Sequence, residues 1–136
     1  MVVKVNKNSV KLGDLVWVEL NGKGHVQRGI RPAVIVQNNI GNYHSPTVQV
    51  FPLTSRCKKS SLPTHVKIPA GVAGLTKDSV VQCESVCTID KDSIRCYMGH
   101  LPKEYMEQIS IASMISIPLI QYLSMEQLKS IRTYVT

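Results

Sequence analysis

The segment Asp14-Leu15-Val16-Trp17-Val18-Glu19-Leu20 alternates over much of its length and is rich in β-formers, which predicts a first strand. Asn21-Gly22-Lys23-Gly24 breaks that pattern and opens a loop running to Ile30. Pro32-Ala33-Val34-Ile35-Val36 is apolar on both faces, as a strand covered on both sides must be. A polar loop follows from Gln37 to Pro46, with Gly41 and Asn42 as turn residues. Thr47 to Leu53 reads as a third strand, where Pro52 marks a bulge or an edge. A second long loop, from Thr54 to Pro63, is basic. Shorter strands are predicted at Thr64–Ile68, Ser79–Cys83 and Arg95–His100. Many short strands with Gly- and Pro-rich turns imply a small, strongly bent sheet or barrel.

The pattern then changes period. Pro102 suits a first helical position, and a helix can run from Lys103 to Ile117 before Pro118 stops it. Its apolar residues, Tyr105, Met106, Ile109, Ile111, Ala112, Met114, Ile115 and Ile117, cover more than one stripe. Such a helix packs on its own sheet and against a second surface. Ser124-Met125-Glu126-Gln127 has the capping-box pattern and should start a last short helix ending near Arg132. The reading is mainly β with a C-terminal helix, an α+β arrangement in one domain over 1–136, a length that supports one core.

Hydrophobic residues at 43% and charged residues at 18% describe a folded chain rather than a disordered basic tail. The N-terminus is interrupted by charge and has no apolar core of signal-peptide length, and Met114–Leu123 is too short and broken to span a bilayer. A cytoplasmic protein with no membrane association is expected. The four cysteines, Cys57, Cys83, Cys87 and Cys96, contain no C-x-x-C pair, so they are expected to be reduced and partly buried. Their spacing with His65 or His100 matches no standard zinc site; no metal and no cofactor are expected.

Charge adds the decisive feature. The chain carries 16 basic and 9 acidic residues, net +7, yet between Leu20 and Lys77 there is no Asp or Glu. That interval holds Lys23, Arg28, Arg31, Arg56, Lys58, Lys59, Lys67 and Lys77. A segregated block of this kind fits a polyanion, because each cation set against a phosphate releases a counterion; a solvated basic face is the alternative. With one Phe and one Trp, stacking bases on an aromatic platform is disfavoured. The block concentrates in the two loops flanking the predicted Pro32–Leu53 strand pair. An antiparallel hairpin brings its outer ends together, so Arg31 and Thr54 should be neighbours, a guanidinium beside a hydroxyl in a basic groove.

At this point the sequence resembles the MazF/PemK family of toxin endoribonucleases, the mRNA interferases of type II toxin–antitoxin pairs. The resemblance is carried by Gly13-Asp14-Leu15-Val16-Trp17-Val18, Gln27-Arg28-Gly29-Ile30-Arg31-Pro32-Ala33-Val34-Ile35-Val36-Gln37-Asn38, Gly41-Asn42 and Ser45-Pro46-Thr47. It continues through Pro52-Leu53-Thr54-Ser55, Leu62-Pro63-Thr64-His65-Val66, Lys77-Asp78-Ser79-Val80-Val81 and Thr88-Ile89-Asp90-Lys91. It runs in register from about 12 to about 117, leaving 118–136 as a C-terminal extension. The resemblance implies a compact SH3-like, CcdB-like β-barrel closed by a C-terminal helix, a homodimer, and a cognate antitoxin as partner. It implies metal-independent cleavage of single-stranded RNA at a short sequence, the substrate's 2′-hydroxyl attacking to leave 2′,3′-cyclic phosphate and 5′-hydroxyl ends.

The family's catalytic roles fall on Arg31 of G-x-R-P and Thr54 of P-x-T-S. His25, Gln27, Arg28, Ser55, Arg56, Lys58 and Lys59 are the candidate RNA-binding residues around them, while His65 reads as structural. Two segments depart from the family pattern. Gly24-His25-Val26-Gln27 stands where many relatives have G-S-E-Q, and Glu84-Ser85-Val86-Cys87-Thr88 where they often have E-Q-I-R-T. The competing readings are a non-catalytic toxin of the gyrase-poison kind on the same barrel and a silent RNA binder; the Arg31–Thr54 pair favours the enzyme.

Overall fold

The computed structural model describes residues 9–56 and 62–135. Lys58 and Lys59, and with them Cys57, lie outside the described residues. The strands are β1 (Asp14–Asn21), β2 (Arg28–Ile35), β3 (Thr47–Thr54), β4 (His65–Ile68), β5 (Ser79–Gln82), β6 (Cys87–Asp90) and β7 (Ile94–His100). The helices are α1 (Asn39–His44), α2 (Lys103–Ser116) and α3 (Met125–Ile131). All strand pairs are antiparallel, along the path β4-β5-β3-β2-β1-β7 with β6 also on β3. The sheet curls into a barrel-like body without closing, β4 and β7 ending the path.

β3 is the pivot. Its first half pairs with β6 from Thr47↔Asp90 to Val50↔Cys87, and its end pairs with β5 at Leu53↔Val81 and Thr54↔Val80. Pro52 lies where one partner gives way to the other, a position suited to a residue with no N–H to donate. Strand alternation then sorts apolar side chains into two cores. Leu15, Val34, Phe51, Leu53, Val66, Ile68 and Val81 join Leu101, Ile109 and Ala112 of the C-terminal segment in the first. Val16, Val18, Leu20, Ala33, Ile35, Val48, Val50, Ile89 and Ile94 form the second. α2 therefore covers the first core, with Tyr105 and Met106 packed beside Ile109 and Ala112. The second stripe, Ile111, Met114 and Ile115 of α2 with Ile117 at its C-cap, is exposed.

Four local departures from the sequence reading have physical causes. β2 starts at Arg28, not Pro32, because pairing with β1 continues through Val18↔Arg31 to Asn21↔Arg28, so Arg28 and Arg31 are strand residues. The Gln37–Pro46 loop contains α1, capped by the Asn38 side chain accepting from Gly41 N at 2.8 Å. Asn42 Nδ2 fastens that turn by donating to Gln37 O at 2.9 Å. β6 is a strand that periodicity did not mark. Pro102 is the N-cap, in extended conformation, and not the first helical residue.

Candidate active site

The β1–β2 connection is tight at its neck. Gly22 N donates to Gln27 O at 3.0 Å, and a Cβ on Gly22 would lie 2.2 Å from that oxygen, so only glycine closes the neck this way. The closure fixes Gln27. Gln27 Oε1 accepts from Arg31 Nη1 at 2.7 Å, and Gln27 Nε2 donates to Gln82 Oε1 at 3.2 Å. Arg31 is thus held by a relay that starts on β5.

Alternation explains where Arg31 and Thr54 point. Ala33 and Ile35 of β2 lie in the second core, and Arg31 is the next residue of that stripe. Val48 and Val50 of β3 lie there too, and Thr54 continues the same stripe past Pro52. The β2–β3 pairing ends at Ala33↔Pro52, so Arg31 and Thr54 each lie two residues beyond the last paired position, Arg31 paired with Val18 of β1 and Thr54 with Val80 of β5. Both are half-buried at the polar margin of an apolar core. There a charge is less screened by water than on an open surface. Arg31 Nε is buried with no hydrogen-bond partner among the described residues. Thr54 Oγ1 accepts from Arg56 N at 3.2 Å, which leaves its own proton to be donated outward.

The other candidates distribute unevenly. Gln27 belongs to the Arg31 relay. His25 is exposed in the β1–β2 turn, and Ser55 and Arg56 follow Thr54 on the exposed side. Alternation sets Arg28 on the opposite side of β2 from Arg31. His65 is tied down as a structural residue would be, its Nε2 lying 2.9 Å from Glu84 Oε1 while Thr64 Oγ1 donates to Glu84 Oε2 at 2.9 Å. Glu84 is thereby occupied on both oxygens.

Gln82 was missed. In the sequence it is one polar residue near the end of a short strand, and only the β4–β5 pairing, His65↔Gln82, together with its bond to Gln27, shows that it reaches this site.

Beside the relay opens a cleft of about 470 Å³ lined by Val26, Gln27, Val86, Cys87 and Thr88, with Glu19 and Asp90 also on its walls. Residues of the two segments that depart from the family pattern, about sixty apart in sequence, therefore line one cleft, which shares Gln27 with the Arg31 relay. The half-buried Cys87 stands where relatives often carry Arg. Burial pushes its thiol up, with the Arg31 guanidinium pulling against it. Burial, reinforced by the Glu84 charge, holds Cys83 up at about 12, so that thiol stays protonated and inert. No cluster of three or more His, Cys, Asp or Glu able to hold a metal occurs among the described residues. No helix among them is long and apolar enough to cross a membrane.

This fold, with an arginine and a threonine at the margin of its second core, is that of a bacterial toxin domain. The chain belongs to the family of PemK-like, MazF-like toxins of type II toxin–antitoxin systems, whose family model matches residues 11–117. It is 40% identical over 114 residues to Endoribonuclease EndoA of Bacillus subtilis (strain 168), the match taking in 83% of this chain and 98% of EndoA. Among solved structures it resembles MazF of Deinococcus radiodurans, with a TM-score of 0.71 and 25% identity over 81% of this chain and 97% of that one. A mycobacterial endoribonuclease in complex with its cognate antitoxin shares the fold, with a TM-score of 0.67 and 23% identity over 82% of this chain and 97% of that one.

Proposed function

We propose that this chain is an endoribonuclease that cuts single-stranded RNA, mRNA included, at a short specific sequence in the cytoplasm, without a metal ion. The 2′-oxygen of the substrate attacks the adjacent phosphorus, the bond to the 5′-oxygen breaks, and that oxygen leaves with a proton as a 5′-hydroxyl. The other product carries a 2′,3′-cyclic phosphate. Arg31 meets the charge that gathers on the non-bridging oxygens, and a guanidinium can bind two of them at once. Thr54 donates to the same phosphate or passes on a proton. His25, Arg28, Ser55, Arg56, Lys58 and Lys59 contact RNA in this reading, the cations holding its backbone.

One observation carries the reading: Arg31 keeps a buried Nε–H without a partner among the described residues while Nη1 is fixed by Gln27. A buried unsatisfied donor costs about 1–3 kcal/mol, and a phosphate oxygen placed there relieves it. Family membership and the 40% identity to an endoribonuclease support the same conclusion. Incubation with naked RNA in the presence of chelator tests it. The expected products end in cyclic phosphate and 5′-hydroxyl groups; intact RNA, or a need for added metal, would count against it.

The proposed partners are RNA, a cognate antitoxin that blocks the site, and a second copy of the chain. The exposed Ile111, Met114 and Ile115 of α2 support the homodimer, since a lone small domain has no use for a second apolar stripe on its covering helix.

Gln82 extends the reading. Gln82→Leu should release Gln27 and loosen Arg31 without removing it. A fall of about tenfold in kcat with little change in KM is the expected outcome, measured by steady-state cleavage of one short RNA. An unchanged kcat would show that the relay does not position the guanidinium.

A further inference from the structure

Beyond the matched residues the chain continues into a segment of regular structure whose apolar side chains are largely exposed among the described residues. A 3₁₀ turn at Leu119–Tyr122 leads to α3, whose capping box is complete: Ser124 Oγ accepts from Gln127 N at 3.1 Å and Gln127 Oε1 accepts from Ser124 N at 2.9 Å. α3 has seven residues, far fewer than the roughly 12–15 an isolated helix needs to persist in water. Yet its surroundings are solvent: Leu119 is 68% exposed, Tyr122 80%, Met125 71% and Tyr134 79%. The outer stripe of α2, which the same stretch of chain follows directly, is exposed as well, Ile111 at 65%.

We propose that this extension is a clasp exchanged between two copies of the chain, each extension packing on the outer stripe of the partner's α2. Four properties of the surface select a second copy as the occupant. The donor segment and the acceptor stripe lie on the same chain, so a two-fold axis satisfies both at once and buries the same residues twice. The two tyrosines alone present on the order of 300 Å², and the whole surface on the order of 1,000 Å², against the roughly 800 Å² each partner gives to a stable interface. Charge is nearly balanced there, with Glu126 against Lys129 and Arg132, which offers little to RNA or to an acidic partner. An antitoxin is the weaker occupant: the family match stops at Ile117, and 97% of a structural neighbour solved with its cognate antitoxin is matched by only 82% of this chain.

The proposal rests in part on the homodimer reading, and sedimentation equilibrium of the full chain separates the two. The parent should sediment at twice 15.1 kDa at micromolar concentration. The triple variant Leu119→Ser, Tyr122→Ser, Tyr134→Ser changes only exposed side chains, so its circular dichroism should match the parent's. Its dimer dissociation constant should rise on the order of a hundredfold or more, from three large apolar groups losing their burial. Ile111→Lys, a change within the matched domain, should weaken the dimer in the same sense. A parent that is monomeric at this concentration overturns both the dimer and the clasp, including the case in which the surface becomes covered only on adding antitoxin. A dimeric parent whose association survives either variant overturns the clasp alone.

Discussion

Arg31→Ala is expected to lower RNA cleavage by a hundredfold or more while leaving the fold intact. The position lies at the margin of the second core, so truncation removes no central packing and leaves Gln27 with Gln82 as a remaining partner. What disappears is a full charge, preorganised by Gln27, facing oxygens that become more negative as the 2′-oxygen adds. Losing one fixed donor to such a charge costs about 10²–10³ in rate. Thr54→Ala should be damaging in the same assay but less so, since a neutral hydroxyl is removed. Binding of uncleavable RNA should fall far less in both, because the remaining cations of the 20–77 block still hold phosphates. The checks are single-turnover cleavage rates and filter binding at fixed salt. Parallel losses of binding and cleavage would recast Arg31 as an anchor for the RNA backbone and not as a group acting on the reacting phosphate.

The strength of that expectation rests on features that the sequence disclosed unequally. β1 and β3 were legible because their runs of β-branched and aromatic residues leave little other conformation for them. The second apolar stripe of α2 was legible for the same reason, in the helical period. The antiparallel pairing of β2 with β3 on which the hairpin argument rests was legible from strand order alone. The start of β2 was not legible, because Arg28-Gly29-Ile30-Arg31 carries no β pattern of its own. It is a strand because β1 pairs with it. α1 was hidden in an Asn- and Gly-containing segment that reads as turns, and it exists through the Asn38 cap and the buried Asn42. β6 spans only four residues, too few for periodicity to separate from a loop.

The site divides along the same line. Motif residues could be named from the chain, but Gln82 could not, since its importance comes from a contact with a residue 55 positions away. Nor could the convergence of Val26–Gln27 with Val86–Thr88 on one cleft be read from the chain. Long-range pairing creates such neighbours, and no local window contains them. The two departing segments therefore line one cleft beside the Arg31 relay, and in the proposed function changes in either would bear on the same stretch of RNA.

Substituting a 2′-deoxy sugar at the nucleotide 5′ to the scissile phosphate is expected to abolish cleavage at that phosphate altogether, a larger effect than any single side chain gives. Among the described residues, the groups beside Arg31 and Thr54 that could attack a phosphorus are engaged or held protonated. Cys87 has its thiol pushed up by burial, and Thr54 Oγ1 is engaged with Arg56 N. Glu84, two residues past the end of β5, is held by Thr64 and His65. In the proposed mechanism the attacking group comes with the substrate: the neighbouring 2′-hydroxyl is already within bonding reach of the phosphorus, where proximity is worth orders of magnitude in rate. Removing that oxygen deletes the nucleophile, whereas Arg31→Ala only weakens the stabilisation of what it forms. The same RNA should still bind with nearly the parent affinity, since phosphates and bases are unchanged, and should act as a competitive inhibitor of cleavage of the all-ribose strand. Mass spectrometry of the products tells the alternatives apart. Cleavage of the deoxy-substituted strand at the same bond, leaving a 3′-phosphate or 5′-phosphate, would mean that water or a protein group attacks instead and that the 2′-hydroxyl mechanism is wrong.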